Sequence, residues 1–116
     1  MDGESKGVRE MTTLIVLFNL KEGVSPSAYE SWAKSSDLPI VRGLHSIKSF
    51  QIQRSTGQLG SEEPAPFQYV EIVAISDMTH FSMEIESTAM KKVAGAFQQF
   101  ADNPQFLITH SIDGEY

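Results

Sequence analysis

Cysteine is absent from the 116 residues. That excludes a disulfide framework, a thiol nucleophile and a thiolate metal site. Positive charge is scarce: Lys and Arg number 9 against 15 Asp and Glu, a formal net charge of −6. Phosphate neutralisation and anionic membrane surfaces both require the opposite balance, so neither nucleic acid nor membrane is expected as a partner. No stretch approaches the ~18 apolar residues of a spanning helix. No compact histidine motif exists either, because the three histidines lie apart at His45, His80 and His110. Gly57-Gln58-Leu59-Gly60 reads as a turn with no helix behind it, so it is not a phosphate loop. No cofactor and no metal are therefore expected. The opening MDGESKGVRE lacks the apolar segment of a signal peptide. It reads as a disordered tail over residues 1–10, with one domain over 11–116 and a cytoplasmic location.

What is present is a regular alternation of strand and helix signals. TTLIVLFNL (12–20) is β-branched and apolar on both faces, as in a central strand. Ser25-Pro26 predicts a helix start, with Ser capping and Pro at the first position. Tyr29, Trp32 and Ala33 would face the core, and the helix is expected to stop near Ser36 because Leu38 precedes Pro39. Residues 44–54 predict a second strand, nearer an edge, with a bulge near Lys48-Ser49 as one explanation of its broken alternation. Residues 55–66 hold two Gly and two Pro and read as a long hairpin loop. FQYVEIVAI (67–75) predicts a second central strand. A short helical turn after Ser76-Asp77 and a longer helix over 88–101 follow, then a strand over 105–112. Gly95 weakens the long helix, and close packing against it is expected.

The order strand, helix, strand, strand, helix, strand is the ferredoxin-like βαββαβ pattern: an α+β fold with a four-stranded antiparallel sheet and helices on one face. The two central strands carry Leu, Ile, Val, Phe and Tyr on both sides. An open apolar sheet face of that size is not expected of a monomer, so a homodimer packed sheet to sheet follows.

Three segments, VLFNLKEGVSPSAYESWA, DLPIVRGLHSIKSFQIQR and ADNPQFLITHSI, make the chain resemble the dimeric α+β barrel superfamily. Within it the chain resembles the REDY-like proteins associated with prodigiosin-type pigment biosynthesis. The resemblance spans about residues 12–112 and implies a dimeric α/β barrel. Relatives by fold include monooxygenases without metal or flavin, dehydratases, haem-degrading enzymes and stress-responsive proteins.

A pocket between sheet and helices would combine aromatic surface with a few polar groups. Glu71 is the anomaly, a carboxylate between Tyr69 and Val73 on an apolar strand face. It is either a base with a raised pKa or the partner of Arg42, Lys48 or Arg54. His45, at the start of the second strand, is the other acid–base candidate. Trp32, Tyr69, His80 and His110 are candidates for the lining, each equally readable as core or surface. Three functions remain open: a cofactor-independent enzyme or accessory factor for an aromatic or pyrrole-type secondary metabolite, a non-catalytic small-ligand carrier, or a structural or stress-related dimer.

Overall fold

The computed structural model describes residues 11–113. The tail expected over residues 1–10 lies outside the described residues. Strand β1 (Thr12–Leu20) is followed by α1 (Pro26–Trp32), a π-helical turn (Ala33–Asp37) and α2 (Leu38–Arg42), which run on without a break. Then come β2 (Ile47–Arg54), β3 (Tyr69–Ile75), α3 (Met78–Glu84), α4 (Thr88–Phe100) and β4 (Ala101–Thr109). The strands form one antiparallel sheet in the order β2-β3-β1-β4. This is the ferredoxin-like arrangement, and the two strands apolar on both faces occupy its centre.

The expected barrel is not formed. A barrel requires its first and last strands to pair. Here β2 and β4 are the two edges, separated by β3 and β1, and the sheet stays open.

The helix caps follow local chemistry. Ser25 Oγ accepts from the Ala28 amide, Asp77 from Thr79 and His80, and Ser87 from Met90. The first helix nevertheless does not stop at Ser36. The Leu38 amide bonds to the Ala33 carbonyl, five residues back, and Pro39 sits in the first turn of α2. A proline inside an α-helix strikes the carbonyl four residues earlier. The wider π turn carries an extra residue and moves that carbonyl aside, so the helix continues to Arg42.

The last strand also differs from expectation. Ala101 is already extended and pairs with Leu20. Asn103 takes a positive φ of 49° and absorbs a register shift opposite Leu17 and Asn19. Asn tolerates this conformation, and Pro104 is tolerated because β4 is an edge. In β2 the register shifts between Ile47 and Ser49, where the sequence places its bulge. Gly95 contradicts expectation: a Cβ there would meet nothing within 4 Å, so it packs against no neighbour.

The core lies between the sheet and its helices. Phe18 is fully buried at its centre, 5.4 Å from Tyr29, 5.5 Å from Tyr69 and 4.9 Å from Phe97 by ring centroids. The opposite sheet face carries Ile15, Leu17, Val70, Ile72 and Ala74, all partly exposed, and no described helix covers it.

Candidate functional site

The alternation of β3 directs Tyr69, Glu71, Val73 and Ile75 towards the helices, and all four are buried. Glu71 is 7% exposed although it is a carboxylic acid. Its hydrogen-bond partner is Tyr29, whose hydroxyl donates to Oε2 over a long 3.4 Å. Asp37 closes the π turn and is 3% exposed. Had the helix ended at Ser36, this residue would lie on a surface loop. The π turn instead presses it onto the core.

Asp37 and Glu71 both line a cavity of about 230 Å³ between the sheet, α2, α3 and α4. Its walls are otherwise apolar except for Gln98, with Phe50, Phe81, Phe97 and Phe106 supplying aromatic surface. Ala94, Gln98 and Phe106 are exposed and mark its mouth between α4 and β4. A dry cavity of ~150 Å³ already accepts benzene, so this one has room for a substituted ring.

Burial penalises the charged form of both acids. It pushes the Asp37 carboxyl up to about 6. It pushes Glu71 up to about 8, with the charge of Asp37 adding to the effect and the Tyr29 hydroxyl opposing it. Around neutral pH, Asp37 is ionised and Glu71 holds its proton. The cavity is therefore lined by one acceptor and one donor. Tyr29 itself is raised, by burial first and by the Glu71 charge second.

The residues singled out from the sequence separate in space. Glu71 reaches the cavity. Tyr69 is 2% exposed and stacks on Phe18, and its hydroxyl donates to Glu30 Oε2 at 2.6 Å. It lines a second cavity of about 250 Å³ with Glu30, Lys34 and Arg54, where Arg54 also bonds Glu30 at 2.8 Å. Trp32 is half-buried, 5.2 Å from Phe100 and 6.1 Å from Tyr29. His45 is exposed, with its backbone amide held by Glu84 Oε2 at 2.7 Å and its ring 6.0 Å from that of His80. His80 lies on α3, 3.8 Å from Glu84. His110 is exposed just past β4, with Nδ1 3.3 Å from the Met11 carbonyl. None of the three histidines lines the cavity. Asp37 was not legible as a site residue. Its signal was an acidic residue directly before Leu-Pro, which reads equally as a helix terminus.

Among the described residues, no group of three His, Cys, Asp or Glu side chains is placed to hold a metal ion. No described helix is long and apolar enough to cross a membrane.

An open ferredoxin-like sheet with a ligand-sized cavity beneath its helices places the chain among the small ferredoxin-like α+β proteins. Within that class it belongs to the family described as REDY-like protein HapK, which matches residues 12–112. The crystal structure of HapK from Hahella chejuensis is 25% identical and superposes with a TM-score of 0.73, covering 90% of this chain and 96% of that one. Two further structures share the fold at 13% identity, each covering 89% of this chain and 94% of its own. They are a hydroxynitrile lyase from Passiflora edulis (TM-score 0.75) and a mutant of SnoaB, a cofactor-independent oxygenase from Streptomyces nogalater (TM-score 0.71). No curated protein matches the sequence significantly.

Proposed function

We propose that the chain is a homodimeric, cofactor-independent enzyme or accessory factor of secondary metabolism, holding an apolar aromatic molecule beside Asp37 and Glu71. The observation that carries this reading is the pair of buried carboxyls facing an otherwise apolar cavity of about 230 Å³. Two acids whose environments separate their affinities for a proton are suited to opposite halves of one proton transfer. Asp37, ionised, accepts a proton from the ligand. Glu71, protonated, donates one or holds a developing negative charge by hydrogen bonding. Asp37 thus takes the place that His45 held in the sequence reading, and Glu71 keeps its own. The sharing of this fold by an oxygenase and a lyase is compatible with the reading but does not choose a reaction.

The dimer part rests on the uncovered sheet face, where Ile15, Leu17, Val70 and Ile72 are only half-buried. A second copy placed across a twofold axis would remove that patch from water. Sedimentation is expected to give twice the monomer mass, and Ile72→Glu is expected to halve it. A wild-type monomer at micromolar concentration would sink the dimer.

The chemistry is tested by Asp37→Asn and Glu71→Gln assayed against a panel of aromatic and pyrrole-type metabolites. Turnover lost with binding retained supports acid–base chemistry. Binding without turnover in the wild type assigns a carrier instead. If neither substitution changes either property, the site is wrong.

A further inference from the structure

The lining of the cavity holds no Lys, Arg or His. Its polar groups are Asp37, Glu71 and Gln98. The side chain of Asp37 has neither a hydrogen bond nor an ion pair among the described residues, although it is buried. Among the described residues, Glu71 has one long hydrogen bond and no cation. A charge placed so is costly unless something brings it a partner. No described residue supplies that partner, and the cavity leaves room for a ligand that does. Four phenylalanine rings, Phe50, Phe81, Phe97 and Phe106, stand around the same space. Their π faces attract a cation and, as apolar surface, the hydrocarbon attached to it. An anion would meet the like charge of Asp37 and no described cation.

We infer that the cavity selects an apolar organic cation, a ring-bearing ammonium or amidinium whose N–H groups are received by Asp37 and Glu71. The inference rests on the cavity reading above and narrows its ligand class. The ring system fills the apolar walls, and the charged nitrogen is paired to Asp37. Its arrival draws Glu71 towards ionisation and releases a proton. The overall charge of −6 favours approach of such a ligand. The titratable groups that act on Glu71 are Asp37, through its charge, and Tyr29 of α1, through its hydrogen bond.

Benzylamine, benzyl alcohol and benzoate are probes of nearly one shape and three charges. Calorimetric titration of the full chain at neutral pH is expected to place benzylamine at least roughly tenfold tighter than benzyl alcohol, with benzoate weakest. Heats measured in buffers of different ionisation enthalpy are expected to show protons released with benzylamine only. The Asp37→Asn/Glu71→Gln double variant is expected to bind benzyl alcohol and lose the preference. Should it not fold, Glu71→Gln alone is expected to abolish the proton release. Benzyl alcohol or benzoate binding as tightly as benzylamine overturns the cation inference and leaves the cavity reading standing. Absence of binding by all three overturns both.

Discussion

Glu30 and Glu71 each receive the hydroxyl of a buried tyrosine, and the two tyrosine rings touch at 4.8 Å. The arrangement is crossed. Helical Tyr29 donates to Glu71 on the strand, and strand Tyr69 donates to Glu30 on the helix. Yet the two acids behave in opposite ways. Arg54 and Tyr69 hydrogen-bond Glu30 and hold it below the usual carboxylate range. Glu71 has burial and the charge of Asp37 instead, and rises to about 8. A tyrosine hydroxyl is common to both, so it does not decide the outcome. The sign of the nearest full charge and access to water do. One site is a settled ion pair that ties α1 to β2. The other has its charge uncompensated and opens into a cavity, which is the pattern of a site built for something else.

The largest expected effect is on the pH dependence of stability. An acid whose pKa is higher folded than unfolded binds more protons in the native state between the two values. Stability therefore falls as pH rises through that window. For Glu71 the window runs from 4.5 to about 8, and for Asp37 from 3.8 to about 6. Urea melts across this range should show a loss on the order of 5 kcal/mol or more, the larger part from Glu71. A flat or rising profile would erase the distinction drawn between the two acids.

Next in size, Glu71→Gln should flatten that profile and raise stability on the alkaline side by ~1–3 kcal/mol, because an amide needs no cation. Glu30→Gln should act the other way, losing up to ~1 kcal/mol with its charge-assisted bonds. If both substitutions shift stability in the same direction, the contrast fails. Arg54→Ala should lower the melting temperature by a small amount that vanishes in ~1 M salt, where screening is short-ranged. It should leave the titration of Glu71 where it was. The smallest change is expected from Tyr29→Phe, under ~1 kcal/mol for a 3.4 Å bond. Carbon-13 NMR of the glutamate carboxyls should show Glu71 moving further up. A downward move would mean that the hydroxyl does not support the charged form.

Much of this molecule is legible in the residues alone. The β1 run is bounded as expected because β-branched residues and a Lys-Glu-Gly stop are local signals. Ser25, Asp77 and Ser87 cap helices by contacts within three residues. Glu71 stands out because alternation alone puts it on a buried face. The helix passing Pro39 is not legible. Proline is a local veto on an α-helix, and only the widened turn, held by the packing of Ala33 and Val41 on the sheet, lifts it. The position of His45 was hidden for a similar reason. A strand start looks like a pocket rim in sequence, but β2 begins at Ile47 and leaves His45 outside, its amide tied to Glu84. The open sheet likewise reflects the spatial order of strands rather than their identity.

Periodicity, caps and charge count by themselves determined the element order, the sheet's two-sided apolar centre and the oddity of one acid on it. These depend on neighbours a few residues away. The second buried acid, Asp37, lies on another element and is brought inward only when a helix widens, and the cavity exists only where four elements fail to fill the space between them. Tertiary structure alone decided those, because burial and charge act through distance in space and not along the chain.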